Sequence, residues 1–127
     1  MAGSFRIEHI GIPARGELFD QTVIFYERVF GLRRVREVDG NQHLCFLADD
    51  HGMVIEILDV EGNPTAGPGH FAFVVPLAEY DETRARLADE GVAFDPTFVT
   101  DTDDKLAYFK DPAGNSAQLI GRKDALV

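Results

Sequence analysis

Two histidines, a glutamate and a glutamine fall at matching places in the two halves of this 127-residue chain. Residues 44–58 align without gaps on residues 106–120, and His9-Ile10-Gly11-Ile12-Pro13 matches His70-Phe71-Ala72-Phe73-Val74-Val75-Pro76. His9 therefore corresponds to His70, and Glu56 to Gln118. Imidazole nitrogen, carboxylate and amide oxygen are all metal donors. A divalent cation ringed by the four would satisfy each of them, including a carboxylate that is costly to bury unpaired. Imidazoles mixed with oxygen ligands suit Zn, Ni, Fe, Mn or Co, and the residue types do not choose among these. Each residue alone has a plainer reading: a hydrogen-bonded histidine at a strand start, a glutamate paired with a basic side chain, a glutamine bonded to backbone. The shared register makes them one candidate site.

Strands and turns must position these groups. Each half reads as strand, helix and three strands. In the first, residues 5–12 have strand composition, and residues 18–30 show helical spacing, with Leu18, Thr22, Phe25, Tyr26 and Val29 on one face. Gly31 is a natural stop, since glycine adopts the left-handed conformation that ends a helix. Strands at 32–38 and 43–47 flank an Asp39-Gly40 turn, and a further turn leads into residues 53–58. The second half repeats the order: strand 70–75, helix near 79–90, stop at Gly91, strands 92–99 and 105–110, and a last strand 116–121 after the turn Asp111-Pro112-Ala113-Gly114-Asn115. Strand parity sets Glu56 with Val54 and Leu58, opposite Ile55 and Ile57. It sets Gln118 with Ser116 and Ile120, opposite Ala117 and Leu119, and His70 with Ala72 and Val74. His43 and His51 lie by turns without repeat partners and read as surface residues.

The expected organisation is a single domain over residues 1–127, with module one at 5–60, a breaker-rich linker at 61–69 and module two at 70–121. Half the chain is short for an independent core. The formal net charge of −10 argues against nucleic acid, which needs a basic surface, and gives a field that attracts cations; acidity also simply keeps a protein soluble. No apolar run approaches the roughly 18 residues of a membrane span, and the N-terminus lacks a secretory pattern. The single cysteine, Cys45, sits in an apolar run and reads as a small core residue. A cytoplasmic protein without membrane or nucleic-acid partners is expected.

Five stretches, Ile7-Glu8-His9-Ile10-Gly11-Ile12, Phe25-Tyr26-Glu27-Arg28-Val29-Phe30-Gly31-Leu32, Val54-Ile55-Glu56-Ile57, Gly69-His70-Phe71-Ala72-Phe73 and Asp111-Pro112-Ala113-Gly114-Asn115-Ser116-Ala117-Gln118-Leu119, resemble the glyoxalase/bleomycin-resistance/dioxygenase family, the vicinal oxygen chelate superfamily. The likeness covers roughly residues 5–121. It implies an α+β fold of two tandem βαβββ modules forming a curved mixed sheet around a central cavity that holds a divalent metal. The family's metal positions, on the first and last strands of each module, carry over to His9, Glu56, His70 and Gln118. Glyoxalase I-like members usually have Glu at the fourth place, where it moves a proton. Gln118 cannot take one, which leaves Glu56 as the general base.

The resemblance thus implies a metal-dependent glyoxalase-type lyase or isomerase, acting through an enediolate on a small substrate with vicinal oxygens. The alternative is a bleomycin-resistance-like protein that binds and sequesters a small molecule; an extradiol-type dioxygenase ranks below both, because its carboxylate usually stands where Gln118 does. Family members of this size are usually homodimers.

Overall fold

A computed structural model describes residues 5–62 and 69–127, and its chain contacts form two compact units, Met1–Pro64 and Thr65–Val127. Most of the expected linker lies outside the described residues.

The first unit runs β1 (His9–Pro13), α1 (Glu17–Phe30), β2 (Arg33–Asp39), β3 (His43–Ala48) and β4 (Val54–Leu58). Its sheet has the order β1-β4-β3-β2. β1 lies parallel to β4, with Gly11 opposite Glu56, while the other pairings are antiparallel, with Phe46 opposite Glu56. The helix packs on β3 and β4. The core of this unit includes Phe19, Val23, Tyr26, Cys45, Leu47, Ile55 and Ile57. Burial raises the Cys45 thiol to about 11, which holds it as a neutral core side chain.

The second unit repeats the order as β5 (Phe71–Pro76), a short 3₁₀ turn (Leu77–Glu79), α2 (Tyr80–Asp89), β6 (Phe98–Val99), β7 (Lys105–Lys110) and β8 (Ser116–Arg122). Its sheet order is β5-β8-β7-β6, again with the first and last strands parallel. Tyr80, Leu87, Ala107, Phe109, Ala117 and Leu119 are buried. The fold is thus the expected α+β pair of βαβββ modules.

Four local expectations need correction. Residues 5–8 do not join β1, which begins at His9. The buried stripe of α1 is Phe19, Thr22, Val23, Tyr26 and Val29, with Leu18 exposed and Phe25 half-buried; both sets have helical spacing and share Thr22, Tyr26 and Val29, but exchanging Leu18 and Phe25 for Phe19 and Val23 turns the stripe by about 50°. Of residues 92–99 only Phe98–Val99 form a strand. Pro96 has no N–H to offer a ladder, and alongside β7 the segment keeps a bond from Asp95 N–H to the Tyr108 carbonyl, 2.8 Å. His43 is not a free surface residue. Its Nδ1 donates to Asp59 Oδ2 at 3.0 Å and its ring lies 4.0 Å from that of Phe19. Asp59 also accepts the N–H of Gly16, 2.9 Å, tying the start of α1 to the end of β4. These bonds raise the His43 pKa above its ordinary value, chiefly through Asp59, and lower that of Asp59, chiefly through Gly16 and then His43.

Candidate metal centre

One turn, built twice, sets the positions of Glu56 and Gln118. In the first unit the Asp49 carboxylate accepts the backbone N–H groups of His51 and Met53 at 2.8 and 3.0 Å, and Asp49 N–H donates to the Met53 carbonyl at 3.0 Å. In the second, Asp111 accepts those of Ala113 and Asn115 at 3.0 and 2.9 Å, and its own N–H donates to the Asn115 carbonyl at 3.0 Å. Both turns launch the last strand of their unit, and Glu56 and Gln118 occupy equivalent positions along those strands.

In the first unit the structure brings His9 and Glu56 together: Nε2 of the imidazole lies 3.6 Å from Oε1 of the carboxylate. His9 Nδ1 lies 2.9 Å from Glu8 Oε1. An ionised carboxylate only accepts, so Nδ1 carries the proton, and in the neutral ring Nε2 presents its lone pair towards Glu56. A lone pair and a carboxylate oxygen converging in this way are two donors aimed at one point, with Glu8 fixing the orientation of the ring. Gly11, opposite Glu56, leaves the carboxylate room: a Cβ there would stand 3.3 Å from Glu56 Oε1 and 3.1 Å from Leu58 Cδ1.

In the second unit His70 and Gln118 meet, with the amide Nε2 3.4 Å from the imidazole Nε2. Turning the amide over places Oε1 at the same point, so the pair can offer a nitrogen and an oxygen donor. Gln118 is buried and His70 exposed. Among the described residues no three His, Cys, Asp or Glu side chains are placed to hold a metal ion by themselves; the structure describes two donor pairs, one in each unit.

Both pairs have an aromatic wall that reading the sequence missed. The ring of Phe46 meets His9 edge-on at 5.4 Å and 81°, and that of Tyr108 meets His70 edge-on at 5.1 Å and 86°. Phe46 and Tyr108 lie opposite Glu56 and Gln118 in their sheets. The signal was available, since they are also aligned with one another in the gapless repeat. His51 is exposed, as expected.

The sequence matches the model of the Glyoxalase/Bleomycin resistance protein/Dioxygenase superfamily over residues 6–119, and the chain belongs to this family. Among solved structures, it is similar to a lactoylglutathione lyase from Agrobacterium tumefaciens, at 25% identity over 93% of this chain and 94% of that one, with a TM-score of 0.74. A glyoxalase family protein from Enterococcus faecalis shares 27% identity over 91% and 96% of the two chains, with a TM-score of 0.75. The fosfomycin resistance protein FosX from Listeria monocytogenes, complexed with Mn(II) and sulfate, shares the fold at 19% identity over 99% and 95%, with a TM-score of 0.75. No curated protein sequence matches the chain. No helix among the described residues is long and apolar enough to cross a membrane.

Proposed function

We propose that His9, Glu56, His70 and Gln118 are ligands to a divalent cation, and that the protein is a metal-dependent lyase or isomerase for a small substrate with oxygens on adjacent carbons. The observation that carries this reading is the repeat of a converging pair, His9 with Glu56 at 3.6 Å and His70 with Gln118 at 3.4 Å, at equivalent places in two copies of one module. Two imidazoles, a carboxylate and an amide oxygen suit a first-row divalent ion with positions left for substrate. When bound, such an ion draws negative charge onto the two substrate oxygens.

The chain's own residues supply the proton chemistry. Glu56 is the one carboxylate of the set and is largely sheltered, its side chain 14% exposed. It removes the C–H proton from the hydroxyl-bearing carbon beside the substrate carbonyl, the electron pair moves onto the carbonyl oxygen to give an enediolate, and the same carboxyl group returns the proton to the former carbonyl carbon while the hydroxyl proton passes to the neighbouring oxygen. Gln118 cannot accept a proton and serves to bind and orient. Glu8 holds the His9 tautomer, and Phe46 and Tyr108 brace the imidazoles. The lactoylglutathione lyase similarity at 25% identity supports this class of reaction. The protein works as a homodimer, for which the exposed apolar side chains Phe5, Ile7, Val74 and Phe98 are suited, and in a reducing cytoplasm, which suits a lone buried cysteine.

Elemental analysis of the reconstituted protein, beside a Glu56→Gln, His70→Ala double variant, tests the site. The expected result is about one metal ion per chain, lost in the variant, at unchanged secondary structure. The metal-loaded protein should then isomerise the methylglyoxal–glutathione hemithioacetal or another α-hydroxycarbonyl substrate. Absence of metal from both proteins would overturn the reading in favour of small-molecule sequestration, which the acidic charge of −10 would direct towards cationic ligands.

A further inference from the structure

The second unit contains a cavity of about 590 Å³ whose lining includes Tyr108, Lys110, Ser116 and Asp95. It opens beside the His70–Gln118 pair, because Tyr108 pairs with Gln118 and Lys110 with Ser116 across neighbouring strands, and Tyr108 also leans on the His70 ring. Lys110 Nζ donates to Ser116 Oγ at 2.7 Å. Among the described residues the lysine has no carboxylate within ion-pairing distance, whereas Lys105 pairs with Asp81 and Arg122 with Asp104. Lys110 is exposed, so in a chain of net charge −10 its ammonium, held by the Ser116 hydroxyl on the cavity wall, stands where an anion entering the cavity can reach it.

We infer that Lys110 and Ser116 form a subsite for a substrate carboxylate, so that the substrate is a small acid whose vicinal oxygens lie at the end remote from this group. Ser116 is two residues from Gln118 on the same face of β8, roughly 7 Å along the strand. The carboxylate bound at Lys110 is therefore a second anchor and not one of the chelating oxygens. Lys110 donates to one carboxylate oxygen, and the Ser116 hydroxyl, whose hydrogen is free to turn, donates to the other. Asp95 puts a negative charge on the same cavity, which favours a singly charged carboxylate over a doubly charged phosphonate. The far end of this assignment rests on the reading that the neighbouring His70 and Gln118 belong to the metal site.

The test is a nuclear magnetic resonance titration of the full chain with two probes, in EDTA and again with Mn(II)-free Zn(II) loading. One is 2-oxoglutarate, with vicinal oxygens at one end and a second carboxylate at the other. The second is pentane-2,3-dione, which keeps vicinal oxygens and has no carboxylate. In EDTA the wild type should bind 2-oxoglutarate about tenfold more tightly, with Ser116 among the shifted resonances. Lys110→Met should abolish the preference, Lys110→Arg should retain most of it, and Asp95→Asn should enlarge it. A wild type that binds both probes equally, or a preference that survives in Lys110→Met, would overturn the subsite. Zn(II) should tighten both probes; its failure to do so with the preference intact would count against the metal reading while supporting the subsite.

Discussion

Asp49 and Asp111 hold the same turn in surroundings that differ, and this makes an internally controlled experiment. Asp49 gives two backbone N–H groups an acceptor in a solvent-accessible turn. Asp111 is 4% exposed, and besides its two backbone donors its Oδ2 accepts the side-chain amide of Asn115, which is fully buried, at 3.0 Å. Water can replace the lost acceptor at Asp49, so Asp49→Ala should cost about 1.5 kcal/mol, near the value of one lost capping interaction. At Asp111 three donors lose a charged acceptor where water enters poorly. Their individual values of 1.5–3 kcal/mol do not add fully, which puts Asp111→Ala at about 4 kcal/mol. The difference of about 2.5 kcal/mol corresponds to roughly 9 °C in Tm for a cooperative chain of this length. Denaturation in urea followed by far-UV circular dichroism reads both variants, which suits a protein without tryptophan. Asp111→Asn, which keeps one acceptor oxygen, should fall between them if Asp111→Ala does not fold. Equal costs at the two aspartates, or a larger one at Asp49, would refute the burial argument.

A Cβ at Gly121 would stand 2.7 Å from Cβ of the fully buried Tyr80, an atom that cannot move without its backbone. Gly121→Ala should therefore destabilise by about 2 kcal/mol, and an unchanged urea midpoint would show that α2 shifts freely on β8. The His43–Asp59 pair should make stability depend on pH. With the His43 pKa raised, its contribution is complete below the unfolded value of about 6.5 and is lost as pH rises through the higher folded value. With the Asp59 pKa lowered, its contribution is complete above about 3.8 and is lost as pH falls through the lower folded value. The stability gap between wild type and His43→Gln should thus be wider near pH 5.5 than near pH 8.5, by denaturant titration, and a gap independent of pH would show that the pair carries no linkage.

What could be read from the residues depended on range. The repeat exposed both modules, both Asp-led turns and the equivalence of Glu56 with Gln118, because a turn and the strand after it are local and keep their spacing. Parity then put Ile55 and Ile57 on the buried side, where they lie. Contacts that depend on pairing between strands were out of reach. That Lys110 meets Ser116 follows only once β7 and β8 are in register, and His43 meets Asp59 only once β4 returns beside β3. The buried stripe of α1 failed for another reason: with apolar residues at 18, 19, 23, 24, 25 and 26, spacing allowed more than one face, and the sheet beneath it decided.

The order of strands also bears on how this protein meets crowding and stress. Each sheet leaves two edges, and an unguarded edge invites another chain to add to it. β2, an outer strand of the first sheet, carries Arg33, Arg34, Arg36, Glu37 and Asp39 on seven residues and is irregular between Arg34 and Arg36. β6, an outer strand of the second, is only two residues long and follows Pro96. The opposite edges, β1 and β5, each end in a proline, Pro13 and Pro76. Charge, irregularity, brevity and missing N–H groups all discourage strand addition, so precipitation on heating should start from unfolded modules and not from polymerisation of native sheets.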